Sequence, residues 1–441
     1  MGYFSNCRPD QRFSVQRRSF GQDGISPAFA LVDWDQRRTI RVVAVSREAR
    51  TDENGFLDDR DDDFYFDALA RHIDHLPPDV IQINVGPDSE LLSTSCDPDL
   101  DSTEIANYRP HSVWPPWLPT VHRPQLTELD RLGLQTDLVT YRVGSETRMV
   151  CFKYYCTGKN HAVIWHEANC LAKIPKHPNI VPFDSLVVDS VEGGEALVVG
   201  FTNKFIPGGT VLENVSRVFK LKYLKQLIEA VDFLSLRRGI VHGDIVPWNL
   251  LIDEETDNIV LFDFNFGAKL GWEGDPSSRS AFNYEESRND VKLTVFTMYE
   301  IITRDLHFRE ELYPHEIAIA DVMDLEEGEE WSKHEDVRLD APVAEYRAVL
   351  NEWLVRREKT DKEITHYTQA PEYIDWPDAP PLREIDFYGM IVRMQSVPRQ
   401  TLVRKGEKFL QWQRPGSHQL PLPAGKRLLA TGEVVDDEDA A

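Results

Sequence analysis

The spacing of apolar positions changes several times along this chain, and each change marks an element. Apolar runs from Phe29 to Trp34 and from Thr39 to Val45 flank the polar stretch Asp35-Gln36-Arg37-Arg38, which predicts two strands and a turn. Phe66, Leu69, Ile73 and Leu76 then recur at three- and four-residue steps, so they share one face of a helix. Asp61, Asp62 and Asp63 precede that face, where carboxylates suit the positive end of the helix dipole; a solvated helix start is expected rather than a metal or partner site. After Pro77-Pro78, Val80 to Val85 reads as a buried strand. Residues 1–107 are therefore expected to form a small α/β region.

Tyr108 to Gln125 carries five prolines and the string Trp114-Pro115-Pro116-Trp117, so residues 108–125 read as an extended linker whose tryptophans cover a neighbouring domain. The competing reading is a ligand for a proline-recognising module. From Leu126 to about Lys359 the pattern becomes strands followed mostly by helices, and residues 126–359 are taken as one domain. Met149 to Lys153 is an apolar strand with one lysine, His161 to Lys173 a helix bearing Glu167, Leu221 to Leu236 a helix ending near Gly239, and Asn258 to Phe262 a strand. Residues 360–441 form an extension. Within it Tyr367 to Pro381 is rich in proline and aromatics, Phe387 to Trp412 reads as short strands, and Asp436-Asp437-Glu438-Asp439 is an acidic tail expected to be disordered. The basic stretch Arg383 to Arg414 is expected to pack on the molecule's own acidic surface rather than on an acidic partner.

With 441 residues and 41% hydrophobic content the chain can bury a large core. Its net charge of -25 argues against sequence-independent binding to nucleic acid or to an anionic membrane, because most of the surface repels phosphate. No apolar run approaches the roughly 20 residues that span a bilayer, and the N-terminus lacks the pattern of a signal peptide. Five cysteines, Cys7, Cys96, Cys151, Cys156 and Cys170, are odd in number and lack zinc-ligand spacing, so a reducing cytoplasmic or nuclear setting is expected.

The chemistry concentrates in Val241-His242-Gly243-Asp244-Ile245-Val246-Pro247-Trp248-Asn249-Leu250-Leu251-Ile252, followed by Ile259-Val260-Leu261-Phe262-Asp263-Phe264-Asn265. Asp244 follows a helix, on a loop where a carboxylate can accept a hydrogen bond from a substrate hydroxyl. Asn249 comes five positions later and Asp263 closes an apolar strand, which supplies two oxygen ligands for magnesium. Upstream, Lys153 is placed to hold the α- and β-phosphates of ATP, and an ion pair with Glu167 would fix its head group. Singly, each has an ordinary explanation: loop Asp and Asn residues make turns, and a strand lysine can snorkel to the surface. As an ordered set they point to ATP and Mg2+.

These residues resemble the protein kinase superfamily. His242-Gly243-Asp244 with Asn249 looks like the family's catalytic loop, Asp263-Phe264-Asn265 like its magnesium-binding triplet, and Val150-Cys151-Phe152-Lys153 like its third strand. His177-Pro178-Asn179-Ile180-Val181 is similar to the segment after the family's C helix, and Phe205-Ile206-Pro207-Gly208-Gly209-Thr210 to its hinge. Asn289-Asp290-Val291 opens an apolar helix through Ile302, similar to the buried F helix. The likeness covers about half the chain and extends to divergent kinase-like proteins of filamentous fungi. It implies an α+β, bilobal kinase-like fold with a β-rich N-lobe from Leu126 to about Asn203 and a helical C-lobe beyond. It further implies Ser/Thr protein phosphorylation with ATP and magnesium, adenine against backbone groups near Lys204 and Ile206, Gly133 in the phosphate loop, and Phe264 and Leu171 as spine residues.

Several positions depart from the family. Leu132-Gly133-Leu134-Gln135-Thr136-Asp137-Leu138 keeps one glycine where the family usually has three, and Asp137 would repel phosphate if it faced inward. Val246 stands where serine/threonine kinases usually carry lysine, a cation worth about 2.7–4 kcal/mol of transition-state stabilisation. Gly243 replaces a common arginine, a form shared with small-molecule phosphotransferases. Only about 27 positions separate Asp263 from Asp290, without an Ala-Pro-Glu string; Ser277, Ser278 and Ser280 fall there in what reads as a polar loop. A pseudokinase that binds partners, and a small-molecule kinase, are the alternatives these departures raise.

Overall fold

In the computed structural model the described residues are 9–51, 55–57, 61–157, 161–214, 216–273, 284–312, 315–324, 330–360, 364–382, 384–387, 390–416, 424–429 and 434–436. Ser277, Ser278, Ser280 and the acidic tail after Asp436 lie outside them. The chain divides into two units, the first drawn from residues up to 161, 184–203 and beyond 379, the second from 162–183 and 204–379.

Strands β1 (Phe13–Phe20), β2 (Pro27–Asp33) and β3 (Arg38–Ala44) are followed by helix α1 (Asp62–His72), then β4 (Gln82–Val85) and β5 (Leu91–Ser95). They build a sheet of order β1-β2-β3-β4-β5, antiparallel throughout except that β3 and β4 run parallel. Parallel neighbours need a crossover, and α1 supplies it. All seven residues of β2 are buried, so the strand reads as a continuous apolar run rather than an alternating one. Tyr65, Phe66 and Leu69 of α1 share a core with Phe29, Leu31, Ile40, Val42 and Ile83, and the Tyr65 ring stacks on Phe29 at 3.8 Å. The acidic start of α1 is paired rather than simply solvated: Arg18 clasps Asp62 at 2.6–3.2 Å and Arg47 donates to Asp61 at 2.8 Å.

The second sheet of this unit comprises β6 (Thr120–His122), β7 (Thr127–Gly133), β8 (Thr136–Val143), β9 (Glu146–Tyr154), β10 (Phe183–Asp189) and β11 (Leu197–Lys204), in the order β6-β10-β11-β9-β8-β7. Gly200 lets β11 pass close to β9, since a Cβ there would collide with the carbonyl of Lys153. The proline-rich stretch 108–125 contributes the edge strand β6, where proline-interrupted sequence is tolerated. Trp114 is buried and Trp117 exposed.

A buried ionic cluster joins the two sheets. Arg37, from the turn after β2, pairs with Asp137 of β8, lies 3.1 Å from Glu128 of β7, and donates to the Tyr154 hydroxyl at 3.2 Å. Arg131 reaches Asp137 at 3.2 Å, while Arg414 pairs with Glu128 and lies 3.2 Å from Asp35. Three guanidinium groups thus face three carboxylates, and Trp412 closes the cluster by stacking on Tyr154 at 5.2 Å. The basic stretch packs on the chain's own acids: Arg399 on Asp101, Arg404 on Asp99 and Lys408 on Glu192, besides Arg414.

The second unit is mainly helical, with α2 (His161–Lys173), α3 (Leu221–Asp232), α4 (Asp290–Thr303) and α5 (Val343–Thr360) around the hairpin β12 (Leu250–Asp253) and β13 (Asn258–Leu261). One face of α3 buries Tyr223, Leu224, Leu227, Ile228 and Val231. The helix continues as a π turn from Phe233 to Arg237. Leu293, Val295, Phe296, Met298 and Ile302 bury α4 on every side, as expected of a helix apolar all round. A β-rich unit and a helical unit give the α+β, bilobal kinase-like class. No helix among the described residues is long and apolar enough to cross a membrane.

Candidate active site

The hairpin explains why two distant polar residues meet. Leu250 pairs with Leu261, so Asn249 and Phe262 lie side by side at the open end, and the Phe262 N–H donates to the Asn249 carbonyl at 3.2 Å. Asp263 follows with φ 66°, a conformation uncommon for a residue with a Cβ. Asn265 donates its amide to Asp263 at 3.3 Å. On the other strand of the site, Asn249 Nδ2 donates to both the carbonyl and the Oδ2 of Asp244, each at 3.0 Å. That bonding aims the amide nitrogen at Asp244 and leaves Asn249 Oδ1 on the opposite side of the amide.

The loop carrying Asp244 is held from below. Asp290, at the start of α4, accepts the His242 N–H at 2.7 Å and the Gly243 N–H at 2.8 Å. Burial pushes its carboxyl above the usual range, opposed by His242 and by the two N–H donors. Thr297 of α4 donates to the Ile245 carbonyl at 2.8 Å. His242 Nδ1 accepts the Asp244 N–H at 3.2 Å, which makes Nε2 the nitrogen that donates to the Phe262 carbonyl at 2.9 Å. Its ring meets Phe264 edge-on at 4.5 Å. One imidazole therefore ties the Asp244 loop to the segment that carries Asp263. Asn179 braces β13 from the other side, exchanging backbone and side-chain bonds with it.

Gly243 has φ 77°, and a Cβ there would lie 2.6 Å from the Phe266 carbonyl oxygen. Glycine is thus demanded by both conformation and space. Val246 is 1% exposed and serves the core. A cation nevertheless stands near Asp244: Arg288, just before α4, has Nη1 3.9 Å from Asp244 Oδ1 and donates to the Gly243 carbonyl at 3.2 Å. Its guanidinium lies over the Phe266 ring at 4.0 Å. Nothing in the motif spacing signals it.

Of the remaining sequence-predicted residues, Lys153 and Gly133 belong to the first unit. Lys153 is half-buried on β9 opposite Thr136, and Gly133 ends β7 at a two-residue turn in which Gln135 takes φ 60°. A Cβ at Gly133 would meet nothing within 4 Å, so packing does not require glycine there. Asp137 turns into the arginine cluster. Glu167, Lys204 and Ile206 belong to the second unit. Glu167 is buried on α2 and Ile206 is buried after β11. The Lys204 N–H donates to the Pro182 carbonyl at 3.1 Å.

Among the described residues no three His, Cys, Asp or Glu groups converge as a metal site. Magnesium needs fewer protein ligands, taking one or two oxygens beside phosphate and water. Asn249 Oδ1 and the Asp263 carboxylate fit that pattern.

A family model for a phosphotransferase enzyme family matches residues 211–271, the segment that holds Asp244, Asn249 and Asp263. CBL-interacting serine/threonine-protein kinase 16 of Arabidopsis thaliana is 34% identical over 108 residues, which is 23% of this chain and 21% of that protein. CBL-interacting serine/threonine-protein kinase 15 of the same plant is 36% identical over 105 residues, 22% of each chain. CBL-interacting protein kinase 2 of Oryza sativa subsp. japonica is 37% identical over 105 residues, 22% of this chain and 21% of that protein. The matched stretch therefore spans about a fifth of these relatives.

Proposed function

We propose that this chain, which belongs to the protein kinase superfamily, is an ATP- and magnesium-dependent phosphotransferase acting on serine or threonine hydroxyls of proteins. The observation that carries this reading is the hydrogen-bonded set Asp244–Asn249 at the open end of the β12–β13 hairpin, beside Asp263. Asp244 accepts a hydrogen bond from the substrate hydroxyl and orients its oxygen for in-line attack. Asn249 Oδ1 and Asp263 would hold magnesium, which would supply positive charge to the phosphate oxygens. The family resemblance assigns Lys153 to the α- and β-phosphates with Glu167 as its ion-pair partner, Gly133 to the phosphate loop, and backbone groups near Lys204 and Ile206 to adenine. His242 and Asp290 touch no substrate; they fix where Asp244 points.

Gly243 favours a second reading, a small-molecule kinase, because the loop has no arginine with which to sense a phosphorylated segment. The first test is transfer of labelled phosphate from ATP to the protein itself and to a generic protein substrate, beside a panel of hydroxylated metabolites. Thermal stabilisation by ATP is followed with and without magnesium. Magnesium-dependent stabilisation that Asp263→Ala removes, and protein labelling that Asp244→Ala removes, are expected. Labelling of metabolites alone favours the second reading, and neither stabilisation nor transfer refutes both.

A further inference from the structure

We propose that Arg288 is a catalytic residue, supplying to the transferred phosphoryl group the positive charge that Val246 does not; this rests on the phosphotransfer reading above. Charge in such a transfer spreads over three equatorial oxygens beside the carboxylate that orients the hydroxyl. A site that presents Asp244 and Asp263 to that anion needs a cation on the same side. Val246 is apolar and buried and cannot provide it. Arg288 is the only arginine, lysine or histidine whose nitrogen comes within 4.0 Å of the Asp244 carboxylate among the described residues.

Its placement is rigid. Arg288 ends the single turn Glu286–Arg288, Asn289 caps α4 by accepting the Val291 N–H at 2.9 Å, and Asp290 grips the catalytic loop through two N–H groups. The cation and Asp244 are therefore carried by one connected body. The Phe266 ring and the Gly243 carbonyl fix the plane of the guanidinium. Nε faces Glu285 at 3.5 Å and Nη1 donates to the Gly243 carbonyl on the side of Asp244, while Nη2 donates no hydrogen bond to a described residue. A guanidinium offers five N–H donors, so protons remain for phosphate oxygens. The 3.9 Å gap to Asp244 is longer than a closed ion pair, which leaves the carboxylate able to take a hydroxyl hydrogen bond.

Arg288→Gln keeps an amide that can donate to the Gly243 carbonyl but removes the charge, and Arg288→Lys keeps the charge. Both are compared with wild type in magnesium-dependent autophosphorylation and ATP hydrolysis, with KM for ATP and the affinity for Mg-ADP measured with and without aluminium fluoride as a mimic of the transferred group. Arg288→Gln is expected to lower kcat about 100- to 1,000-fold with KM for ATP within about twofold. It also loses the fluoroaluminate-dependent tightening of ADP, while Arg288→Lys recovers at least about tenfold of the rate. If Arg288→Gln keeps kcat within about threefold, or if the Gln and Lys variants lose rate, ADP affinity and thermal stability alike, Arg288 is structural and the proposal falls. A wild type that neither binds nucleotide nor transfers phosphate sinks the phosphotransfer reading itself.

Discussion

Asp290→Asn tests the claim that one buried carboxylate sets the geometry of the loop that carries Asp244. The substitution keeps the side chain's shape. Wild-type Asp290 accepts two N–H groups, from His242 at 2.7 Å and Gly243 at 2.8 Å. The asparagine oxygen can take one of them, and its NH2 then confronts the other, donor against donor. A buried N–H without a partner costs about 1–3 kcal/mol, and the surviving bond loses the charge that roughly doubles its strength. Against this, a carboxylate is no longer buried, which offsets part of the loss because desolvation already pushes that carboxyl upward. The net expectation is a loss of about 2 kcal/mol, or a fall in Tm of roughly 4–8 °C for a cooperative domain of roughly 150–250 residues. Thermal unfolding of nucleotide-free protein reads it directly. Asn289→Ala is the control: it removes the α4 cap, worth about 1 kcal/mol, but leaves both N–H groups of the loop satisfied. Asp290→Asn is expected to lose phosphotransfer far beyond its thermal effect, whereas Asn289→Ala keeps most of it. A change in stability below about 0.5 kcal/mol, with transfer retained, refutes the reasoning.

Gly243→Ala places a Cβ at φ 77° and 2.6 Å from the Phe266 oxygen, so it should cost more than the roughly 1–2 kcal/mol of a left-handed residue alone; a loss under about 0.5 kcal/mol in thermal unfolding contradicts the geometry. Arg37→Met leaves Asp137 and Glu128 short of a buried cation and is expected to destabilise the first unit by about 3–5 kcal/mol, measured by chemical denaturation followed through Trp fluorescence. His177 is held below its ordinary pKa by burial, and its Nδ1 accepts the Asn179 N–H at 3.2 Å. A lowered folded pKa means that its contribution is complete above about pH 6.5 and is lost as pH falls through the folded value. Stability should therefore fall as the pH is lowered below about 6.5, and a His177→Gln variant with an unchanged profile on that acid side rules the mechanism out.

How much of this could be read from the sequence depends on how local the determining interactions are. Asn249 and Asp263 flank the open end of one short hairpin and Asp244 lies five positions before Asn249, so their nearness in space is already contained in their order and spacing. The apolar run that opens at Asn289-Asp290 announces α4 because a helix buried on all sides needs no second element to be recognised. β2, β3 and α1 also follow from their apolar runs and faces, within a residue or two at most ends. β1 does not, since a bulge between Val15 and Arg17 breaks its alternation and most of its residues are only half-buried. β5 exposes Leu91 and Leu92 and carries no inward apolar face. β6 is only three residues long, too short to show a period. Arg37, Asp137 and Arg414 look like surface charges in sequence; they are buried because segments far apart in the chain meet, and no window contains both partners.

Arg288 escapes a motif search for the same reason, and its position says something about how this loop is built. Both cations that the family usually carries on the catalytic loop are replaced here, one by Gly243 and one by Val246. Each replacement has its own physical cause: a Cβ at 243 collides with Phe266, and the side chain at 246 fills the core. The loop proper thus keeps only the negative charge of Asp244. Its orientation comes from Asp290 and, among the described residues, its nearest positive charge from Arg288, two residues apart at the head of one helix. If the proposal for Arg288 holds, what the family distributes along the loop is gathered here into residues 288–290. Displacing the start of α4 would then change loop geometry and phosphoryl neutralisation together. Independent defects in the two would show as additive losses in the Arg288→Gln/Asp290→Asn double variant, whereas a shared body predicts a double loss well short of the sum.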